Sequence, residues 1–589
     1  MRPTSALLLS AASKAAAPAS SRSYTRHTVA KALSIAASSS PRSSPPPRSA
    51  LTKPGRSYAS HSPSSLSSPP LVQTTTLPNG VRVATESTPG HFSAVGVYVD
   101  AGSRFERPWV AGESGVSHLL DRMAFKSTSN RSSEQMTGEI EKLGGQVMCS
   151  SSRETIMYQS SMFNQDLPAV LSILADTIQH PLILPEELNQ QREAAAYEIS
   201  EIWNKPEMIL PELLHMTAYK NNTLGNPLLC PMESLEQMTV ENLQGFIKEW
   251  YKPERIVVAG AGMPHEELVG LTGELFGKAR AQETVLDSPS ASASSAGSSS
   301  GRSSRSSSSA SSLWASPFST TAKTPASHAP GQPSLAEIAT AKARYTGGDL
   351  YLPRPDLPFT HIYIAFEGVS IHDDDIYALA VLQILLGGGS SFSAGGPGKG
   401  MYSRLYNVLN TQHAVDYIAA FLHSYNDSAL FGIAAACEPR FTPQIASVIA
   451  QQLELCTGAG GGRHTLTGSG GVTRAELARA RNQLKSSLMM ALESRLVEVE
   501  DLGRQVQVHG TKVGVEEMCE KIDRVDLEVL QRVARRVLRP QQAGGGKMLN
   551  HGLGSGQTTV VAQGHLEGLG DVREMLFRRG LGAKPTTIA

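Results

Sequence analysis

Three absences bound what this chain can be. It has five cysteines, Cys149, Cys230, Cys437, Cys456 and Cys519, odd in number, widely spaced and without a C-x-x-C pair. Such usage argues against the disulfide framework of a secretory compartment and fits reduced, packed thiols. No apolar run approaches the ~20 residues that a membrane-spanning helix needs, so a soluble mature protein is expected. Acidic residues are missing from two long segments. The first carboxylate of the chain is Glu86, and none occurs between Asp287 and Glu337.

The first acid-free segment reads as a targeting peptide. Residues 1–58 carry nine basic side chains (Arg2, Lys14, Arg22, Arg26, Lys31, Arg42, Arg48, Lys53 and Arg56) among serine and alanine. A cationic, acid-free amino terminus has the composition of a mitochondrial transit peptide, which the inner-membrane potential draws inward. The competing reading is a basic tail for nucleic acid, and no nucleic-acid partner is expected here. Arg56-Ser57-Tyr58-Ala59 has the arginine-minus-three pattern of a cleavage site, so Arg56, Tyr58 and Ala59 mark the expected cut. The chain balances 53 basic against 53 acidic residues; losing nine basic ones leaves 44 against 53, a net charge of −9. A negative matrix protein is suited to cationic partners.

The segment 286–336, acid-free after Asp287, is rich in serine with few apolar side chains and is expected to be a flexible, disordered insert. It separates residues 70–285 from residues 337–589, and these two halves resemble each other. Thr239-Val240-Glu241-Asn242-Leu243-Gln244, running to Lys252-Pro253, matches Asp526-Leu527-Glu528-Val529-Leu530-Gln531, running to Arg539-Pro540, at a constant offset of 287. Each block leads into an apolar strand, Ile256–Gly260 or Thr559–Gly564, and then a helix ending in Leu-Phe. Ala94–Val99 and His361–Phe366 correspond near the start of each half. Shared order over more than 200 residues predicts two homologous α/β domains facing one another, joined by the serine-rich segment.

Two motifs carry the chemistry. Ser117-His118-Leu119-Leu120-Asp121-Arg122 has the frame of the inverted zinc-protease helix H-x-x-E-H, in which two histidines hold the metal and the glutamate activates water. Here the frame reads H-x-x-D-R. Arginine has no lone pair for a metal and stays protonated, so Arg122 puts a fixed cation where a ligand is needed. Ser114 or Ser117 is expected to cap this helix and set His118, Asp121 and Arg122 on one face. The other motif is the run from Gly387 to Met401, GGGSSFSAGGPGKGM, with seven glycines in residues 387–400. Gly400 follows Lys399 where a phosphate loop needs Ser or Thr, which excludes that reading. Embedded Phe392, Lys399 and Met401 argue against a plain spacer.

Together these motifs resemble the pitrilysin or insulinase type of metallopeptidase, at its non-catalytic, processing-peptidase branch, over residues from about 70 to 589 apart from the insert. That resemblance implies an α/β (α+β) fold of two α/β-roll domains. It implies a third ligand position at Glu198, so that His118, Asp121, Arg122 and Glu198 form a degenerate metal site without zinc or other cofactor. It also implies a heterodimer with a catalytic beta subunit that keeps zinc and H-x-x-E-H, acting on presequences of imported precursors. The glycine-rich loop, through Gly387, Gly388, Gly389, Phe392, Gly395, Gly396, Gly398, Lys399, Gly400 and Met401, is then expected to contact the presequence. The expected place is the mitochondrial matrix, with inner-membrane association as a second reading. The rival functions are a structural core subunit of the cytochrome bc1 complex, which usually lacks the long glycine loop, and an active zinc peptidase, which Arg122 opposes.

Overall fold

The structure is a computed structural model and describes residues 71–277, 332–391, 401–458, 470–541 and 549–586. The expected leader with Arg56, Tyr58 and Ala59 lies outside the described residues, as do most of the serine-rich insert and Phe392, Gly395, Gly396, Gly398, Lys399 and Gly400. No helix among the described residues is long and apolar enough to cross a membrane.

Two six-stranded sheets carry the two halves, and their strands are β1 (Val72–Thr76), β2 (Arg82–Glu86), β3 (Phe92–Val99), β4 (Gln146–Ser151), β5 (Ile156–Phe163), β6 (Ile256–Ala261), β7 (Gly348–Pro353), β8 (Thr360–Gly368), β9 (Gly388–Ser390), β10 (Val415–Ser424), β11 (Ala429–Cys437) and β12 (Thr559–Gly564). Their spatial orders are β1-β2-β6-β3-β5-β4 and β7-β12-β8-β11-β10-β9. Five strands repeat: β2-β6-β3-β5-β4 superposes in order on β7-β12-β8-β11-β10. In each set the first pair is parallel and the other pairs are antiparallel. The internal duplication read from the sequence is thus a duplicated sheet, with one extra strand added at opposite edges, β1 and β9.

The central strands β3 and β8 are buried along almost their whole length, because both faces of each sheet are covered. One face of each packs on helices of its own half, including the fully buried helix Ile376–Leu386 in the second. The other face is covered by the opposite half. Helix Arg495–His509 lays Val499, Leu502 and Val506 on Ala84, Ala94, Tyr98, Val257, Ala259 and Ala261 of the first sheet. In return, helix Pro206–Ala218 lays Leu210, Leu213 and Leu214 on Tyr363, Phe421, Leu430 and Val561 of the second. Alanine-rich strand positions let the first of these helices approach closely.

Polar groups fasten the same exchange. Tyr98 donates its hydroxyl hydrogen to the Val499 carbonyl at 2.8 Å and accepts from Gln159 at 2.6 Å. Arg82 donates to the Val506 carbonyl at 2.9 Å. The buried Lys512 pairs with Glu86 and, at 3.4 Å, with Asp501. Where the β4–β5 and β10–β11 turns meet, Arg104 bridges Glu154 and Asp427, the latter at 2.8 Å. The described residues form one compact unit, and the halves are not separable bodies.

Gly503 sits where the helix crosses Tyr98. A Cβ there would stand 2.1 Å from the Tyr98 ring. Gly503→Val is expected to destabilise the protein by about 1–3 kcal/mol through overpacking. Gly245→Ala, with nothing within 4 Å of the added carbon, is expected to be neutral or mildly stabilising. Thermal unfolding of the two variants beside the parent checks both, and equal loss in both would contradict this packing.

A vacated metal-site geometry and a glycine-rich sheet edge

Helix Val116–Met123 carries the degenerate motif, and its start is not capped as expected. Gly115 is the N-cap, in the left-handed region at φ 82. The capping carboxylate comes from outside the helix: Glu106 accepts from Gly115 N at 2.6 Å, Ser117 N at 2.9 Å and Ser117 Oγ at 2.6 Å. Ser117 therefore donates to the cap instead of providing it. Burial pushes the Glu106 carboxyl up to about 7 against these donors. A side chain added to Gly115 would collide with Cys230, whose Cβ lies 2.4 Å from the position.

His118 and Glu198 do come together with Arg122. Glu198 stands on helix Pro185–Trp203, and Arg122 forms an ion pair with its Oε2. His118 Nε2 lies 3.7 Å from the same oxygen. Asp121 does not join them. Its Oδ2 accepts from Ser151 N at 2.8 Å and Ser151 Oγ at 3.1 Å, turning the carboxylate toward the end of edge strand β4. Helix Val116–Met123 does set His118, Asp121 and Arg122 on one face, but the place of Asp121 in the degenerate metal site is corrected: its carboxylate is held by the strand beside it.

The protonation of His118 also opposes metal binding. Cys230 N–H donates to its Nδ1 at 3.3 Å, so the neutral ring carries its proton on Nε2, the atom facing Glu198. A ligating histidine needs the reverse, with its other ring nitrogen donating to a second group. Burial, reinforced by the Arg122 cation, lowers the His118 pKa to about 4. The imidazole is accordingly neutral near neutral pH. A zinc ion requires three protein donors in a catalytic site. This set offers one accessible carboxylate, already paired, a histidine with its proton on the wrong nitrogen, and a guanidinium. The residues present do not fit the metal, and among the described residues no three His, Cys, Asp or Glu side chains gather as ligands.

The first glycines of the second motif are ordered by close approach. Gly387 ends helix Ile376–Leu386 at φ 59, and a Cβ on it would lie 2.4 Å from Ser403 Cβ. Gly388 has φ 114, and its added Cβ would lie 2.0 Å from the Ile418 carbonyl oxygen. Gly388–Ser390 forms β9, pairing with Ala419, Ile418 and Tyr417 of β10. The reading of Gly387–Gly389 as the beginning of a loop is therefore corrected: Gly388 and Gly389 belong to β9, and a side chain would clash with Ser403 at Gly387 and with β10 at Gly388, while Gly389 has room for one. Ser391 ties the strand's end to Asp416 through its hydroxyl at 2.7 Å. The described chain resumes at the half-buried Met401, beside an exposed Tyr402. Arg404, 2 % exposed, then fixes this return by donating to Gly470 O and Gly471 O and pairing with Glu476.

Glu106, Ser151 and Cys230 hold the degenerate site in its present state, and none was singled out from the sequence. Each acts across a separation with no periodic signal. Their effect can be tested by restoring the motif. The double substitution Asp121→Glu with Arg122→His rebuilds H-x-x-E-H, yet the Cys230 N–H remains on His118 Nδ1. Zinc affinity is expected to fall roughly 10–100-fold short of a site with a correct outer shell. Calorimetric titration with zinc measures this, and tight stoichiometric binding by the double variant would contradict the tautomer assigned to His118.

Comparison with known proteins agrees with this geometry. The profile of the insulinase family (peptidase family M16) matches residues 82–232, and that of the peptidase M16 inactive domain matches residues 237–484. A mitochondrial-processing peptidase subunit alpha of Neurospora crassa is 52 % identical over 510 residues, covering 83 % of this chain and 86 % of the relative. A probable mitochondrial-processing peptidase subunit alpha of Schizosaccharomyces pombe is 40 % identical over 520 residues, covering 87 % and 89 %. The Homo sapiens mitochondrial-processing peptidase subunit alpha is 34 % identical over 483 residues, covering 80 % of each chain. The chain belongs to the insulinase family, peptidase family M16, among the mitochondrial-processing peptidase alpha subunits.

Proposed function

We propose that this chain is the non-catalytic, substrate-recognising subunit of a mitochondrial peptidase that removes presequences from imported precursors. The observation that carries this reading is Arg122 paired with Glu198 where a zinc ligand would stand, inside a fold that is otherwise kept. Chemistry is then supplied by a beta partner with an intact H-x-x-E-H motif and its zinc, in a heterodimer located in the matrix. This chain's own basic leader, ending near Ala59, is of the same kind as the substrates and is removed in the same way. The net charge of −9 left after that removal favours approach of cationic presequences.

The glycine-rich segment is the proposed place of contact. β9 is a terminal strand tied to β10, and Arg404 anchors the chain where it returns, so the residues between have two fixed ends. Presequences share charge and amphipathicity more than sequence, which backbone groups with Phe392 and Met401 can accommodate. The run also separates this reading from a bc1 core subunit, which usually lacks it.

Deleting Ser393–Lys399 is expected to leave the heterodimer assembled and its zinc content unchanged. Precursor binding should weaken and cleavage should slow, each at least tenfold. Binding and single-turnover cleavage on matched parent and deleted heterodimers measure both, and unchanged values would show that the segment only connects its two ends.

A further inference from the structure

A cavity of about 620 Å³ lies where the two halves meet, far along the chain from both motifs. Its walls include Thr217 and Lys220 at the end of the exchanged helix Pro206–Ala218, Asp349 and Tyr351 of β7, Arg573, and Thr586 near the carboxyl end of the described chain. This volume falls within the roughly 300–1,000 Å³ of small-ligand sites. We propose that it binds the carboxyl-terminal end of a short basic peptide, and specifically the presequence fragment released by cleavage. The identity of that ligand rests on the processing function proposed above.

The donor side is built around Arg573, which is 8 % exposed. One guanidinium arm donates to Asp349 Oδ1 at 2.7 Å and the other pairs with Gln557. Its Nε–H has no acceptor among the described residues. The guanidinium sets a fixed positive charge on the cavity wall, toward which an entering carboxylate would be drawn. The exposed Lys220 ammonium adds a second cation on the cavity wall. The acceptor side is Asp349 and Asp571. Each commits Oδ1, to Arg573 and to Glu574 N respectively, which leaves Oδ2 for a guanidinium or ammonium. The site therefore matches a ligand with both charges rather than a simple anion.

The backbone favours an extended peptide. Among the described residues β7 is a terminal strand of its sheet and pairs only with β12, and its other edge runs beside the cavity. An added strand would bond to that edge, with side chains sampling the walls. Gly348, at φ 148, brings β7 close to Thr217, whose Cγ2 would be 3.1 Å from an added Cβ. Gly570, by contrast, faces open space. Cleavage of a precursor creates a new α-carboxylate on a fragment rich in basic residues. A leader such as residues 1–58, with nine basic side chains and no acid, gives such a fragment.

The test is calorimetric titration of the purified heterodimer with the tripeptide Arg-Ser-Tyr, the sequence of residues 56–58, as the free acid, as its carboxyl-terminal amide, and with Gln-Ser-Tyr. The free acid is expected to bind saturably, with the amide and the glutamine peptide each at least tenfold weaker. Lys220→Glu, at an exposed position, should weaken the free acid at least tenfold while leaving precursor cleavage unchanged. Equal affinity of acid and amide, no effect of Lys220→Glu, or no saturable binding at millimolar peptide would overturn the site. The two readings fail separately. Heterodimer that cleaves precursors without binding the tripeptide overturns only the site, whereas binding that shows this pattern without precursor cleavage upholds the site and overturns the function.

Discussion

Each half of this protein buries its sheet under a helix that belongs to the other half, and the remaining features depend on that exchange. Helix Arg495–His509 closes the first sheet and helix Pro206–Ala218 closes the second. A half expressed alone would expose one whole sheet face, including Tyr98 or Tyr363 and Phe421. Exposed apolar faces of that size are not tolerated in isolated soluble domains. The exchange also fixes where the two motifs stand, since the degenerate helix belongs to the first half and the glycine-rich edge to the second. The cavity proposed as a product site exists only because the exchanged helix ends against β7.

Loss of the metal site has cost the fold little, and the reason is visible in what holds helix Val116–Met123. Its start is capped by the buried Glu106 and its body packs through Val116, Leu119 and Leu120 into the first core. The Arg122–Glu198 pair is about one-third exposed on each side and is worth roughly 0–1 kcal/mol. Arginine here neutralises a carboxylate that would otherwise lack its metal, without becoming a pillar of stability. A peptidase scaffold can thus lose its chemistry at one helix and still present its surfaces to a partner and a substrate.

Legibility in the sequence followed the range of each interaction. The duplication was readable because matched helix, turn and strand blocks are local, and the repeated strand order confirms it. Arg122 was readable because no arrangement of neighbours makes arginine a ligand. The place of Glu198 beside Arg122 followed from the family frame, which puts the third ligand position there. The exchange was not readable: Tyr98 and Gly503 lie some 400 positions apart, and nothing local marks Gly503 as the point where a helix crosses an aromatic ring. Glu106 likewise caps a helix nine residues away, outside the S/T-x-x-E spacing that announces a cap. At Gly387 and Gly388, composition suggested freedom whereas the fold demands close contact. Glycine density reports the absence of a Cβ and leaves open whether freedom or proximity requires it.

The central claim is that this chain recognises and its partner cleaves, so the location of zinc decides it most directly. Metal analysis should be made on the heterodimer formed with an H-x-x-E-H partner, and on heterodimers with His118→Ala or Glu198→Ala in this chain. The account predicts one zinc per heterodimer, unchanged by either substitution and lost when a histidine of the partner's motif is replaced. Loss of zinc on substituting His118 or Glu198 would contradict it.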